Sequence, residues 1–149
     1  MISDILVIAD ASKEASILVL DALQKIQKHQ PTVRAIFISY LSEFIKKYAG
    51  PNTLNHIITE ERQSLERIRH YFARMGIPYS FKVITISSWL TVLSEFENGN
   101  QDIVILQGEF LKLWKEKAPN LGLHSHIIHK STCPILMIHG SEETSHFRL

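Results

Sequence analysis

The residues of this chain that could do chemistry are few, and most lie in its last third. Four of the eight histidines, His124, His126, His129 and His139, and the single cysteine, Cys133, bring metal-ligating and nucleophilic types together there. On a helix, positions 126 and 129 share a side whereas 124 and 126 do not. Neither a cysteine nor a carboxylate completes a recognisable zinc set around them. No metal site is predicted, and a metal sensor built on this stretch is disfavoured. The histidines read as polar residues at the rim of a final helix, with His124 the one that could face a crevice. Cys133 precedes Pro134 at the start of an apolar strand, where a small buried side chain packs well. No histidine is evident as its partner, so it is not expected to be a nucleophile. The sequence has no Walker loop, Gly-x-Ser-x-Gly elbow or His-Glu-x-x-His helix. No catalytic residue is predicted, and the protein is expected not to be an enzyme.

Two further positions are singled out by where they fall. Asp10 follows the apolar run Ile5 to Ile8, and Gly108 follows Ile103 to Leu106 and Gln107. In an open parallel sheet, ligands collect outside the carboxyl ends of the strands, where backbone N–H groups and helix N-termini face outward. Asp10 either faces such a ligand or stabilises a helix start; Gly108 either admits a ligand or allows a turn.

The elements that would position these residues alternate. Ile5 to Ile8 read as a first strand, ended by Asp10-Ala11-Ser12, which carries a helix-start signal. Ala15, Leu18, Val19, Ala22, Leu23 and Ile26 then recur at helical spacing, with Lys13, Glu14, Lys25 and Lys28 on the wet side. Val33 to Ser39 supplies a second strand, and Leu41, Phe44, Ile45 and Tyr48 a short lid-like helix broken at Gly50-Pro51. The next helix carries Ile58, Leu65, Ile68, Phe72 and Met75 on one face. It carries Glu61, Arg62, Glu66, Arg69 and Arg74 on the other, read as a solvated face, and Gly76 provides a left-handed stop. Phe81 to Ile86 is a third strand. Ser87-Ser88 can cap a helix that turns Trp89, Val92, Leu93 and Phe96 inward and ends at Asn98-Gly99. Asp102 to Leu106 and Ile135 to Ile138 complete five strands; Trp89 and Trp114 are treated as core or groove-covering aromatics. Such alternation predicts an α/β fold, a Rossmann-like doubly wound five-stranded parallel sheet in the order 3-2-1-4-5. One domain over residues 1–140 is expected, followed by a polar C-terminal tail, 141–149.

Composition narrows the partners. The 149 residues include 16 Lys plus Arg against 15 Asp plus Glu, interleaved, for a net charge of +1. That leaves no basic stripe for nucleic acid. No apolar run approaches the ~18 residues of a membrane span. One cysteine cannot form an internal disulfide, and no secretory pattern precedes the first strand, so a cytoplasmic location is expected.

Three stretches together resemble the universal stress protein family over essentially the whole chain. They are Ile5-Leu-Val-Ile-Ala-Asp10-Ala-Ser12, Asp102-Ile-Val-Ile-Leu-Gln-Gly108, and Ile127-Ile-His-Lys-Ser-Thr-Cys133-Pro134-Ile-Leu-Met-Ile138. The resemblance implies a stress-response or regulatory module. Its ATP-binding members carry Gly, two residues, Gly, nine residues, Gly and then Ser or Thr after the fourth strand. Counted from Gly108, the second glycine falls on Leu111, the third on Leu121 and the hydroxyl on Gly122. With a loop one residue longer, Gly122 becomes the third glycine and Leu123 replaces the hydroxyl. The expectation is therefore a module without tight ATP binding and with no cofactor, the crevice being partly filled by Phe110 to Trp114. The alternative is an adenine-nucleotide switch for ATP, ADP or AMP that uses Asp10, Ala11, Ile38, Gln107, Gly108 and Gly122. The family also implies a homodimer through the last strand, Pro134 to His139, whose apolar edge has no lysine to blunt it. A protein partner is a further possibility that the resemblance leaves open.

Overall fold

The computed structural model describes residues 2–26, 31–39, 41, 43–85, 89–107 and 132–138. Five strands form one parallel sheet: β1 (Asp4–Asp10), β2 (Thr32–Ser39), β3 (Tyr79–Thr85), β4 (Ile103–Gln107) and β5 (Ile135–Ile138). Their order is β3-β2-β1-β4-β5, as the sequence predicts. Among the described residues, four helices lie between the strands: α1 (Lys13–Ile26), α2 (Glu43–Tyr48), α3 (Pro51–Met75) and α4 (Trp89–Asn98).

The order explains which face each helix covers. From β1 to β2 to β3 the chain moves one way across the sheet, so right-handed crossovers lay α1 and α3 on the same face. From β3 it returns past β2 and β1 to β4, and α4 falls on the opposite face. Alternation along the strands serves both layers. Ile5, Val7 and Ala9 of β1 and Val33, Ala35 and Phe37 of β2 pack under α1 and α3, with Ile103, Ile105, Leu136 and Ile138 in the same core. Leu6, Ile8, Ile36, Ile38, Val104 and Leu106 meet Val92 and Phe96 of α4. Strands covered on both sides need apolar residues at every position, which is why the central strands read as unbroken runs. Cys133 is half-buried and packs against this second core, in keeping with a packing role.

Several bounds differ from the sequence expectation, each for a physical reason. The third strand begins at Tyr79, two residues before Phe81, because pairing with β2 starts as soon as the chain leaves Pro78: Val33 N–H donates to Pro78 O at 3.0 Å. Helix α3 begins at Pro51, well before Ile58. Gly50 is extended (φ −65°, ψ 156°) and proline takes the first turn, where its missing N–H costs nothing. Gly76, at φ 65° and ψ 30°, ends the helix left-handed as predicted, and Ile77 N–H closes onto Phe72 O at 3.0 Å.

The buried stripe of α3 is the main correction. It runs through Glu61, Ser64, Ile68, Tyr71 and Phe72. Glu61, expected on a solvated face, is 8% exposed, whereas Met75, expected inward, is 44% exposed. The amino-terminal half of α3 passes over the polar end of β2, so its inward positions meet hydroxyl and backbone groups instead of apolar side chains. Arg69 is exposed as expected, and its guanidinium lies over the Phe81 ring at 5.2 Å.

A second polar group lies at the opposite pole of the sheet. Arg34 Nη1 of β2 donates to Glu95 Oε2 at 3.0 Å, its Nη2 donates to Gln101 Oε1 at 2.9 Å, and Lys82 Nζ also donates to Glu95. Gly99 makes room for this cluster, since a Cβ there would stand 2.1 Å from Arg34 Nη2. Among the described residues, no helix is long and apolar enough to cross a membrane.

Candidate functional site

The carboxyl ends of β1, β2 and β4 bring four of the six sequence-predicted site residues together. Asp10 and Ile38 are register partners, and Ala11 N–H extends the β1–β2 ladder by donating to Ile38 O at 3.0 Å. On the other side of β1, Asp10 N–H donates to Gln107 Oε1 at 3.4 Å. That contact spans the junction of β1 and β4, the point where the strand order reverses and where open α/β sheets place their ligands. Asp10, Ala11, Ile38 and Gln107 are all buried. Gly108 and Gly122 lie outside the described residues, as do Phe110 to Trp114, His124, His126, His129 and His139.

Ser12 starts α1 as its sequence signal predicts. Its Oγ accepts Ala15 N–H at 3.2 Å, and its carbonyl accepts Ser16 N–H at 3.0 Å. Lys13 N–H is met from outside the helix: it donates to Glu60 Oε1 of α3 at 3.4 Å. Glu60 Oε2 in turn stands 3.5 Å from His56 Nε2 one turn back. Below this, Arg67 Nη1 donates to Ser16 Oγ at 2.8 Å and Ser16 Oγ donates to Lys13 O at 2.7 Å, fastening α3 to the first turn of α1.

A second tie joins α3 to β2. Ser39 Oγ donates to Glu61 Oε1 at 2.6 Å and accepts Leu41 N–H at 3.0 Å. Between these ties lies a cavity of about 250 Å³ lined by Ala11, Ser12, Ile57, Glu60 and Glu61. It adjoins the predicted site through Ala11, but it lies on the β1–β2 side under α3. Its described lining holds two carboxylates and no Lys or Arg. Ile57, Glu60 and Glu61, which line this cavity, and Ser39, which donates to Glu61, were not singled out as candidate site residues by the sequence. The available signal was the spacing of Glu61, Ser64, Ile68 and Tyr71, a helical stripe visible only if polar residues are allowed into it.

The arrangement offers recognition groups more than reactive ones. Carbonyl, carboxylate and hydroxyl oxygens accept hydrogen bonds, while Ala11 and Ile57 supply apolar contact. Among the described residues, no group of three or more His, Cys, Asp or Glu could hold a metal ion. Two carboxyl groups outside the cavity have displaced pKa values. Hydrogen bonding to Lys82 is the main cause holding Glu95 below the usual carboxylate range, with the nearby Lys82 and Arg34 charges adding to it. Asp102 is held low by the Ser3 and Asp4 N–H groups that donate to its Oδ2 at 2.8 and 2.9 Å.

Solved structures share this course from one end of the chain to the other. The hypothetical protein MJ0577 superposes with a TM-score of 0.58 at 21% identity, covering 97% of this chain and 99% of its own. A member of the universal stress protein family from Burkholderia pseudomallei gives 0.54 at 16% identity, covering 91% and 95%. The fold is that of the universal stress proteins. A family protein from Arabidopsis thaliana with AMP bound superposes with a TM-score of 0.55 at 13% identity, over 95% of this chain and 94% of that one. No family model matches the sequence, and no curated protein matches it. The likeness to the universal stress proteins is thus carried by the fold, and the residues of the crevice must speak for themselves.

Proposed function

We propose that the protein is a regulatory module of the universal stress protein type, not an enzyme, whose crevice takes an adenine nucleoside or its monophosphate and does not hold ATP tightly. The observation that carries this is the cavity lined in part by Ala11, the residue that follows β1 and hydrogen-bonds the end of β2 at Ile38. Its volume, about 250 Å³, suits a nucleoside-sized group and falls below the range of roughly 300–1,000 Å³ usual for larger ligands. The AMP carried by the Arabidopsis protein of the same fold supports an adenine ligand. The presence of Leu111 and Leu121 where nucleotide-binding members have glycine argues against a cradle for the triphosphate. The residues assigned to the ligand are Asp10, Ala11, Ile38 and Gln107, with Gly108 and Gly122 following from the family pattern alone. Isothermal titration with ATP and magnesium is the direct test: millimolar binding or none is expected, and a micromolar dissociation constant would sink the proposal.

A further inference from the structure

Strand β3 reads Tyr79-Ser-Phe-Lys-Val-Ile-Thr85, and among the described residues β2 alone pairs with it. Val33 is the register partner of Tyr79, and its N–H donates to Pro78 O at 3.0 Å. In a parallel ladder each residue points both backbone groups to one side, and the next residue points its pair to the other. Ser80 and Lys82 therefore face β2, whereas Tyr79, Phe81 and Val83 turn N–H and C=O toward the open edge. The side chains divide by face. Phe81, with the Tyr79 ring stacked on it at 6.0 Å, packs on the α3 side, and Tyr79 and Val83 there remain 37% and 45% exposed. Lys82 lies on the other side, bonded to Glu95 of α4. That one carboxylate serves both Arg34 and Lys82, which leaves the cluster a positive charge in excess. The ammonium is the group that meets water, since the Lys82 side chain is 60% exposed against 24% for Glu95.

We propose that the open edge of β3 docks an extended acidic segment of a partner protein, which adds to the sheet antiparallel to β3 and carries an acidic residue between two apolar ones. Strand addition draws affinity from main-chain hydrogen bonds and specificity from alternate side chains. Partner residues opposite Phe81 and Val83 exchange hydrogen bonds with them and meet their apolar side chains. The partner residue opposite Lys82 sits in a non-hydrogen-bonded pair, where side chains come closest, and a carboxylate there meets the surplus charge. An edge lysine ordinarily deters pairing. It deters strands that bring no counter-charge, among them a second copy of this chain. A two-fold axis at Lys82 sets lysine against lysine, and one at Phe81 sets lysine against Ser80.

The test is isothermal titration of the full chain with the peptide acetyl-Gly-Ser-Thr-Val-Glu-Val-Thr-Ser-Gly-amide. A dissociation constant below about 100 μM is expected. Lysine in place of the peptide's glutamate should weaken binding about fivefold or more, and N-methylation of both its valines, which removes their N–H groups, about tenfold or more. In the protein, Lys82→Glu should reverse the preference between the glutamate and lysine peptides. Val83→Pro removes an N–H that points away from β2, a change an edge strand tolerates, and should abolish binding with the circular dichroism unchanged. Should that variant not fold, the peptide comparison and Lys82→Glu decide the matter alone. No binding, equal affinity for the two peptides, or a folded Val83→Pro variant that binds as well as wild type would overturn the proposal. A dimer in sedimentation that Val83→Pro splits would overturn it too, since the edge would then belong to a second copy.

Discussion

Glu61 and Ser39 show a buried carboxylate meeting a hydroxyl at a strand end. A carboxylate taken from water must find donors, and Ser39 Oγ at 2.6 Å is one of them. Ser39→Ala removes that donor along with the acceptor for Leu41 N–H, and should destabilise the protein by about 1–3 kcal/mol in urea unfolding. A change within a few tenths would mean that the bond contributes little. Asp102 and Glu95 make a prediction about acid. Both are depressed in the folded state, so the stability they contribute is present above their unfolded pKa, near 4, and is lost as pH falls through the lower folded values. The urea midpoint should therefore decline between about pH 5 and 2.5, less steeply in Asp102→Asn than in wild type; identical slopes would contradict the assignment. At this scale the placement of Asp10, Ala11, Ile38 and Gln107 at strand ends was legible, because apolar runs mark where strands stop. The sequence hid Glu60 and Glu61, because a charged helical residue is ordinarily read as solvated.

At the scale of elements, α3 divides into a legible half and a concealed one. From Ile68 onward its inward face is apolar: Phe72 lies against the Tyr79 ring at 4.9 Å, and the helix ends where Gly76 permits it. Replacing Gly76 with alanine forces a Cβ into the left-handed conformation and should cost about 1–2 kcal/mol, read as a lowered thermal midpoint with an unchanged fold by circular dichroism. An unaltered midpoint would show that the chain leaves the helix in another way. Before Ile68 the same helix uses polar contacts, with Ser64 Oγ donating to Glu60 O at 2.9 Å and Glu61 accepting from Ser39 Oγ of β2, so apolar periodicity located its face only approximately. The strands were more transparent, since burial on both sides leaves few residue types to choose from.

At the scale of the molecule, strand order was legible because alternating strands and helices with right-handed connections allow few arrangements. Assembly is a separate matter. Strand β5 is an edge, with Leu136 and Ile138 buried and Ile135 and Met137 half-covered. The other edge, β3, carries Lys82. Edge pairing is favoured where no charge blunts the strand, so a two-fold dimer through Pro134 to His139 is the expected assembly. Sedimentation at micromolar concentration should show a dimer, and a single monomeric species would rule that pairing out.

Strand β4 grips β1 at both ends. Asp102 takes the Ser3 and Asp4 N–H groups at one end, and Gln107 takes Asp10 N–H at the other. These partners are nearly a hundred positions apart along the chain, which gives the grip a history as well as a geometry. A ribosome adding about 5–20 residues per second needs roughly 5–20 s to deliver β4 after β1 has emerged. Throughout that interval the central strand of the finished sheet has one flank with no neighbour of its own, and both its faces are apolar. The newborn protein must therefore rely on β2 and the early helices, or on helpers in the cell, to keep that flank from strangers until its late partner arrives.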